Sequence, residues 1–77
     1  MPTLREETRE LIRNSEEGVT VREIVYRIYG ATPAAHGDYH SKRNMVNKVL
    51  RQMYGDGEIE IEKYGRGGSI YYRMKEE

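Results

Sequence analysis

The spacing of apolar residues changes once along this chain, and that change constrains the fold more than any other feature. Through "SKRNMVNKVLRQMYGDG" (41–57), Val46, Val49, Leu50 and Met53 recur at i, i+3, i+4 and i+7, the spacing of one helix face, with Gly55 as the stop. From residue 58 the period falls to two. "EIEIEK" sets Ile59 and Ile61 against Glu58, Glu60 and Glu62, and "IYYRM" sets Ile70, Tyr72 and Met74 against Tyr71 and Arg73. The four residues Gly65 to Gly68 between them suit a hairpin connection. With Tyr64 facing Ser69, Ile61 falls opposite Tyr72 and Ile59 opposite Met74 on the buried side. On the solvent side Glu60 then meets Arg73, and Glu58 meets Lys75.

Two further helices precede this unit. "TLREETRELIRNSEEG" carries a capping box in Thr3 and Glu6, an apolar face of Leu4, Leu11 and Ile12, and Gly18 as its terminator. "VTVREIVYRIYG" repeats the pattern with Thr20 and Glu23, the stripe Val21, Ile24, Val25 and Ile28, and Gly30. Val19 pairs briefly as a strand before it. In "ATPAAHGDYH", Thr32, Pro33 and Gly37 frame a single helical turn, and Asp38 or Ser41 caps the third helix. The expectation is one α+β domain over residues 1–77, three helices packed on a small antiparallel hairpin with a short third strand near Val19.

The absence of cysteine excludes a disulfide scaffold, a thiolate zinc site and a cysteine nucleophile, and makes a reducing cytoplasmic setting the expectation. No apolar run approaches the ~20 residues of a membrane span, and "MPTLREETRE" lacks the pattern of a signal peptide.

Formal net charge is zero, but the charges are segregated. Residues 39–55 hold Lys42, Arg43, Lys48 and Arg51 with no acid, and residues 63–75 hold Lys63, Arg66, Arg73 and Lys75 with no acid. These segments carry +8 together, and the remaining five cations and thirteen acids give −8.

The order helix, short strand, helix, helix, strand, glycine-rich turn, strand resembles the winged helix-turn-helix family of DNA-binding domains. The likeness spans essentially the whole chain and rests on this order plus "SKRNMVNKVLRQMYGDGEIEIEKYGRGGSIYYRM". It implies a third helix in the major groove of double-stranded DNA and a hairpin, the wing, on the backbone or adjacent minor groove. The connection from Ala31 to His40 is longer than the tight turn of the simplest members. Winged helices that read left-handed nucleic acid carry a helix tyrosine where this chain has Arg51, and a proline-containing wing where it has glycines, so that subgroup is not expected.

At about 100° per residue, the stripe Val46, Val49, Leu50, Met53 points inward and Asn44, Lys48 and Arg51 point outward, flanked by Ser41 and Asn47. Cations, amides and a hydroxyl without a carboxylate can donate to guanine, pair with adenine or hold phosphate. Gly65, Gly67 and Gly68 project Arg66 from the hairpin tip toward a minor groove or phosphate, beside Tyr64 and Lys63. Arg73 and Lys75 are assigned to the strand glutamates, which leaves Lys42, Arg43, Lys48, Arg51, Lys63 and Arg66 as the positive surface. Tyr26 points away from its helix's apolar stripe.

His36 and His40 around Asp38 lack both a continuous helix and a further strong ligand, so neither metal nor cofactor is expected. No nucleophile, base and orienter assemble into an enzyme site. The expected function is sequence-dependent or general duplex DNA binding by a small transcriptional regulator, with a homodimer compatible and no small-molecule ligand implied. The alternative is a protein-interaction winged helix within a larger assembly, since one scaffold hosts both uses.

Overall fold

The computed structural model describes residues 2–34, 38–64 and 69–75, the side chain of Tyr64 excepted. The elements follow in the order α1 (Leu4–Arg13), α2 (Val21–Tyr29), α3 (Tyr39–Gly55), β1 (Ile59–Tyr64) and β2 (Ser69–Met74). The result is a small α+β domain in which three helices pack with a two-stranded antiparallel hairpin.

Local chemistry sets each boundary. The hydroxyls of Thr3 and Thr20 accept from the N–H groups of Glu6 and Glu23, each at 3.2 Å, and so start α1 and α2. Gly30 ends α2 in the left-handed region at φ 70°. Gly18, in contrast, does not stop α1. That helix ends at Arg13 with Asn14 as its cap, because the polar run from Asn14 to Glu17 offers no apolar side chain to the core. The positive φ of Gly18, 96°, serves a close approach to β2 instead.

α3 starts before Ser41, at Tyr39, whose ring is buried seven residues ahead of Val46 on the same face. Asp38 occupies the N-cap position without a side-chain hydrogen bond, and Ser41 lies inside the helix. Ahead of it, Pro33 and Ala34 form a turn, and the rest of the helical turn expected from Thr32 to Gly37 lies outside the described residues. At the far end Gly55 is still helical. The left-handed residue is Gly57 at φ 79°, where Glu58 N–H reaches Met53 O at 3.0 Å and Gly57 N–H reaches Tyr54 O at 3.1 Å. This Schellman closure turns the chain directly into β1.

The expected strand register holds, with Ile59 opposite Met74, Ile61 opposite Tyr72 and Tyr64 opposite Ser69. The side-chain pairs on the outer face differ from expectation. Arg73 takes Glu62 diagonally at 2.6 Å rather than the directly opposed Glu60. Glu58 is drawn from Lys75 to α1, where Arg9 and Arg5 reach it at 3.0 and 3.1 Å, and Arg5 also holds Asp56 at 2.7 Å. Three ion pairs thus tie α1 to the α3–β1 turn. Burial on the inner face also fades along the hairpin. Ile59 is 2% exposed, but Ile61 is 40% exposed, because the strands run beyond the helices that cover their base.

The core is formed by Ile12, Ile24, Val25, Val46, Leu50, Met53 and Ile59, with Val19, Ala31 and Tyr39 at its margin. Each fully buried aliphatic contributes about 1.5–3 kcal/mol. Val19 pairs with Tyr72 as an isolated antiparallel bridge, so β2 has β1 on one edge and residue 19 on the other. Among the described residues, no helix is long and apolar enough to cross a membrane.

Candidate nucleic-acid interface

α3 buries Val46, Leu50 and Met53 and half-buries Val49, which sends its polar residues to the opposite arc. Ser41, Arg43, Asn44, Lys48 and Arg51 are all exposed, and Asn47 is half-buried. Lys42 sits closer to the body of the domain, its ammonium 4.8 Å from the centroid of Tyr29, so a cation–π contact already engages it. Lys63 is exposed on β1 opposite Ile70. The site expected at Arg66 and the side chain of Tyr64 lies outside the described residues.

Charge compensation divides the surface. Arg5, Arg9, Arg13, Arg27 and Arg73 each hold a carboxylate at 3.6 Å or less. Among the described residues Arg22, Arg43, Lys48, Arg51 and Lys63 hold none. An acid-free α3 has nothing to offer its own cations, and on the strand side Glu58 is committed to α1 and Glu62 to Arg73. The outcome is a face whose positive charge is not neutralised among the described residues, the condition under which a polyanion gains most from binding.

The hairpin adds a wall to this face. By strand alternation Ile59, Ile61, Lys63, Ile70, Tyr72 and Met74 share the side toward the helices, while Glu60, Glu62, Tyr71 and Arg73 share the other. A groove of about 680 Å³ runs between the first turn of α2, the Arg43 and Asn47 side of α3, and β2. Its lining includes Arg22, Tyr39, Arg43, Asn47, Ile70 and Tyr72, and no carboxylate among the described residues borders it. Burial pushes the Tyr72 phenol above its ordinary value, while the positive charges of Arg51 and Arg43 pull it the other way.

The structure thus divides the expected residues into two sets. Arg43 and Asn47 line the groove. Ser41, Asn44 and Lys48 stand on the exposed arc of α3. Sequence reasoning missed Arg22, Tyr39 and the groove-lining role of Tyr72. For Arg22 a signal existed: a cation in the first turn of a helix opposes the macrodipole, and positions 18, 19, 25 and 26 offer it no acid. Tyr39 lay outside the expected helix, and Tyr72 was assigned to the core alone.

Comparison with known proteins finds no matching family model, no matching curated protein and no matching solved structure.

Proposed function

We propose that this chain is a winged helix that binds double-stranded DNA, with α3 entering the major groove and the hairpin lying along the backbone or minor groove, in the manner of a small transcriptional regulator. The observation that carries the proposal is the set of cations on α3 and β1 without a carboxylate partner among the described residues, Arg43, Lys48, Arg51 and Lys63, in a domain whose other arginines are mostly paired. Asn44 and Ser41 stand among them as donors and acceptors suited to base edges or phosphate. The exposed arc of α3 carries both reading and charge, and the hairpin supplies a second line of contact.

The test is equilibrium binding to random-sequence duplex across a salt series. Phosphate contacts make log K fall against log salt by roughly 0.9 per neutralised phosphate, and several phosphates should be involved. The zero net charge of the chain favours one other reading, a module that docks on a complementary protein. Absence of duplex binding at low salt would support that reading and overturn this one.

A further inference from the structure

The groove between α2, α3 and β2 differs from the exposed arc of α3 in what it can hold. An outward helix face meets a duplex from outside. A concavity of about 680 Å³ lies within the ~300–1,000 Å³ range of pockets for small organic groups. Its walls are of two kinds. Val21, Pro33, Ile70 and Tyr72 present apolar and aromatic surface, and Arg22 and Arg43 present guanidiniums with no acid partner among the described residues.

The polar groups in the groove are unsatisfied in a consistent way. Tyr39 is only 6% exposed, lines the groove, and no hydrogen bond engages its hydroxyl among the described residues. That hydroxyl is not among the sealed buried atoms, of which Thr8 Oγ1 alone lacks a partner among the described residues, so it keeps some access to solvent. A phenol so enclosed normally finds a partner. The Asn47 amide and the Tyr72 hydroxyl likewise have none among the described residues. At the α2 end, Glu23 N–H is taken by Thr20 Oγ1 and Ile24 N–H by Thr20 O, whereas the N–H groups of Val21 and Arg22 keep no acceptor among the described residues.

A ligand that matches this inventory has an anionic end for Arg22, Arg43 and the free amides, and a flat, largely apolar body with hydrogen-bonding edges for Tyr39, Asn47 and Tyr72. We infer that the groove binds a single unpaired nucleotide, its phosphate at the Arg22–Arg43 end and its base against the Ile70–Tyr72 wall. A base inside a duplex cannot serve, because its faces are stacked and its pairing edge is occupied. Aromatic surface beside cations is the arrangement by which proteins hold unstacked bases. The inference rests on the nucleic-acid reading of the same face and narrows it. The protein should favour duplex that carries an unpaired nucleotide, at an end or within the strand, over fully paired duplex.

The experiment compares a blunt duplex with the same duplex bearing a short 3′ overhang, at one salt concentration, for the wild type, Tyr39→Phe and Arg22→Ala. Adenosine 5′-monophosphate and a short thymidylate oligomer serve as competitors. The wild type should prefer the overhang by about tenfold, the effect of one stacked base. Both variants should reduce that ratio several-fold, and retained circular dichroism and thermal midpoint would show that each is folded. Competition by the mononucleotide would assign the groove to a free nucleotide as well as to a strand, whereas competition by the oligomer alone would assign it to a strand. Equal affinity for blunt and overhang duplex, with neither competitor effective, would overturn the inference and leave duplex binding standing. No binding to any of the nucleic acids would remove both.

Discussion

Val19 and Tyr72 exchange two backbone hydrogen bonds, Val19 N–H to Tyr72 O at 3.1 Å and Tyr72 N–H to Val19 O at 2.8 Å. The pair fixes the segment between α1 and α2 to the strand that walls the groove, so the hairpin is anchored at its second edge as well as through β1. Gly18 makes the approach feasible. A Cβ there would lie 2.9 Å from Arg73 Cγ, 3.2 Å from the Tyr72 carbonyl oxygen and 3.3 Å from Tyr71 Cβ. Ser15 holds the bend, accepting from Gly18 N–H at 3.0 Å and donating to Gly18 O at 2.9 Å.

Two glycines separate crowding from conformation. Gly30 has φ +70° with open space where a Cβ would sit, and Gly18 has φ +96° with strand atoms there. Gly30→Ala should cost about 1 kcal/mol from the left-handed backbone alone, and Gly18→Ala clearly more. Urea denaturation of the two variants checks this. Equal losses would mean that Val19 and β2 separate freely.

Glu58 bridges α1 to the hairpin, while Glu60 on the same strand face holds no ion pair among the described residues. Partly exposed pairs are worth about 0.2–1 kcal/mol each and are weakened by salt. Glu58→Gln should therefore lower stability by roughly 1 kcal/mol at low salt and by less at high salt, with Glu60→Gln near zero. A larger loss for Glu60→Gln, measured by denaturation at both salt levels, would restore the directly opposed pair with Arg73.

The α3 stripe, the strand register and the N-caps of α1 and α2 were legible because each follows from local spacing: 3.6 for α3, two for the strands, threonine three residues ahead of glutamate for α1 and α2. The ion pairs of Glu58 and Glu62 were not. Opposite charges on a strand suggest partners in the ladder, but Arg5 and Arg9 reach Glu58 only once α1 has packed, across some fifty positions of sequence. The exposure of Ile61 escaped notice for a similar reason, since alternation gives the face of a residue and not how far the covering helices extend. The groove needed Arg22 from α2, Tyr39 from α3 and Tyr72 from β2 in one place, and no linear spacing records that. The charge segregation was visible from the start, and its lack of compensation emerged only with the pairs.

Val46 is fully buried and Arg51 exposed, five positions apart on α3. Val46→Ala should destabilise by roughly 1–3 kcal/mol and leave the exposed arc of α3 intact in whatever remains folded. Arg51→Ala should change stability by less than about 0.5 kcal/mol and weaken duplex binding. Thermal denaturation beside anisotropy titration separates the two. Comparable thermal losses would mean that α3 presents a different face to the core.

Burial raises the Tyr72 phenol above its ordinary 10.0 despite the opposing charges of Arg51 and Arg43. The folded protein then holds that proton more tightly than the unfolded chain. The stability it contributes is complete below about pH 10 and is lost as pH rises through the higher folded value. Tyr72→Phe should flatten the alkaline limb of the stability profile, measured as denaturation midpoint against pH. An unchanged limb would place the phenol in solvent.

The salt dependence of duplex binding measures directly whether the cations of α3 meet phosphates. The wild type should show a steep log–log slope, and Lys48→Ala/Arg51→Ala, with its thermal midpoint preserved, a slope shallower by about two phosphates' worth, roughly 1.8. Binding too weak to detect on random duplex at low salt, or a slope that the double substitution leaves unchanged, would contradict that contact.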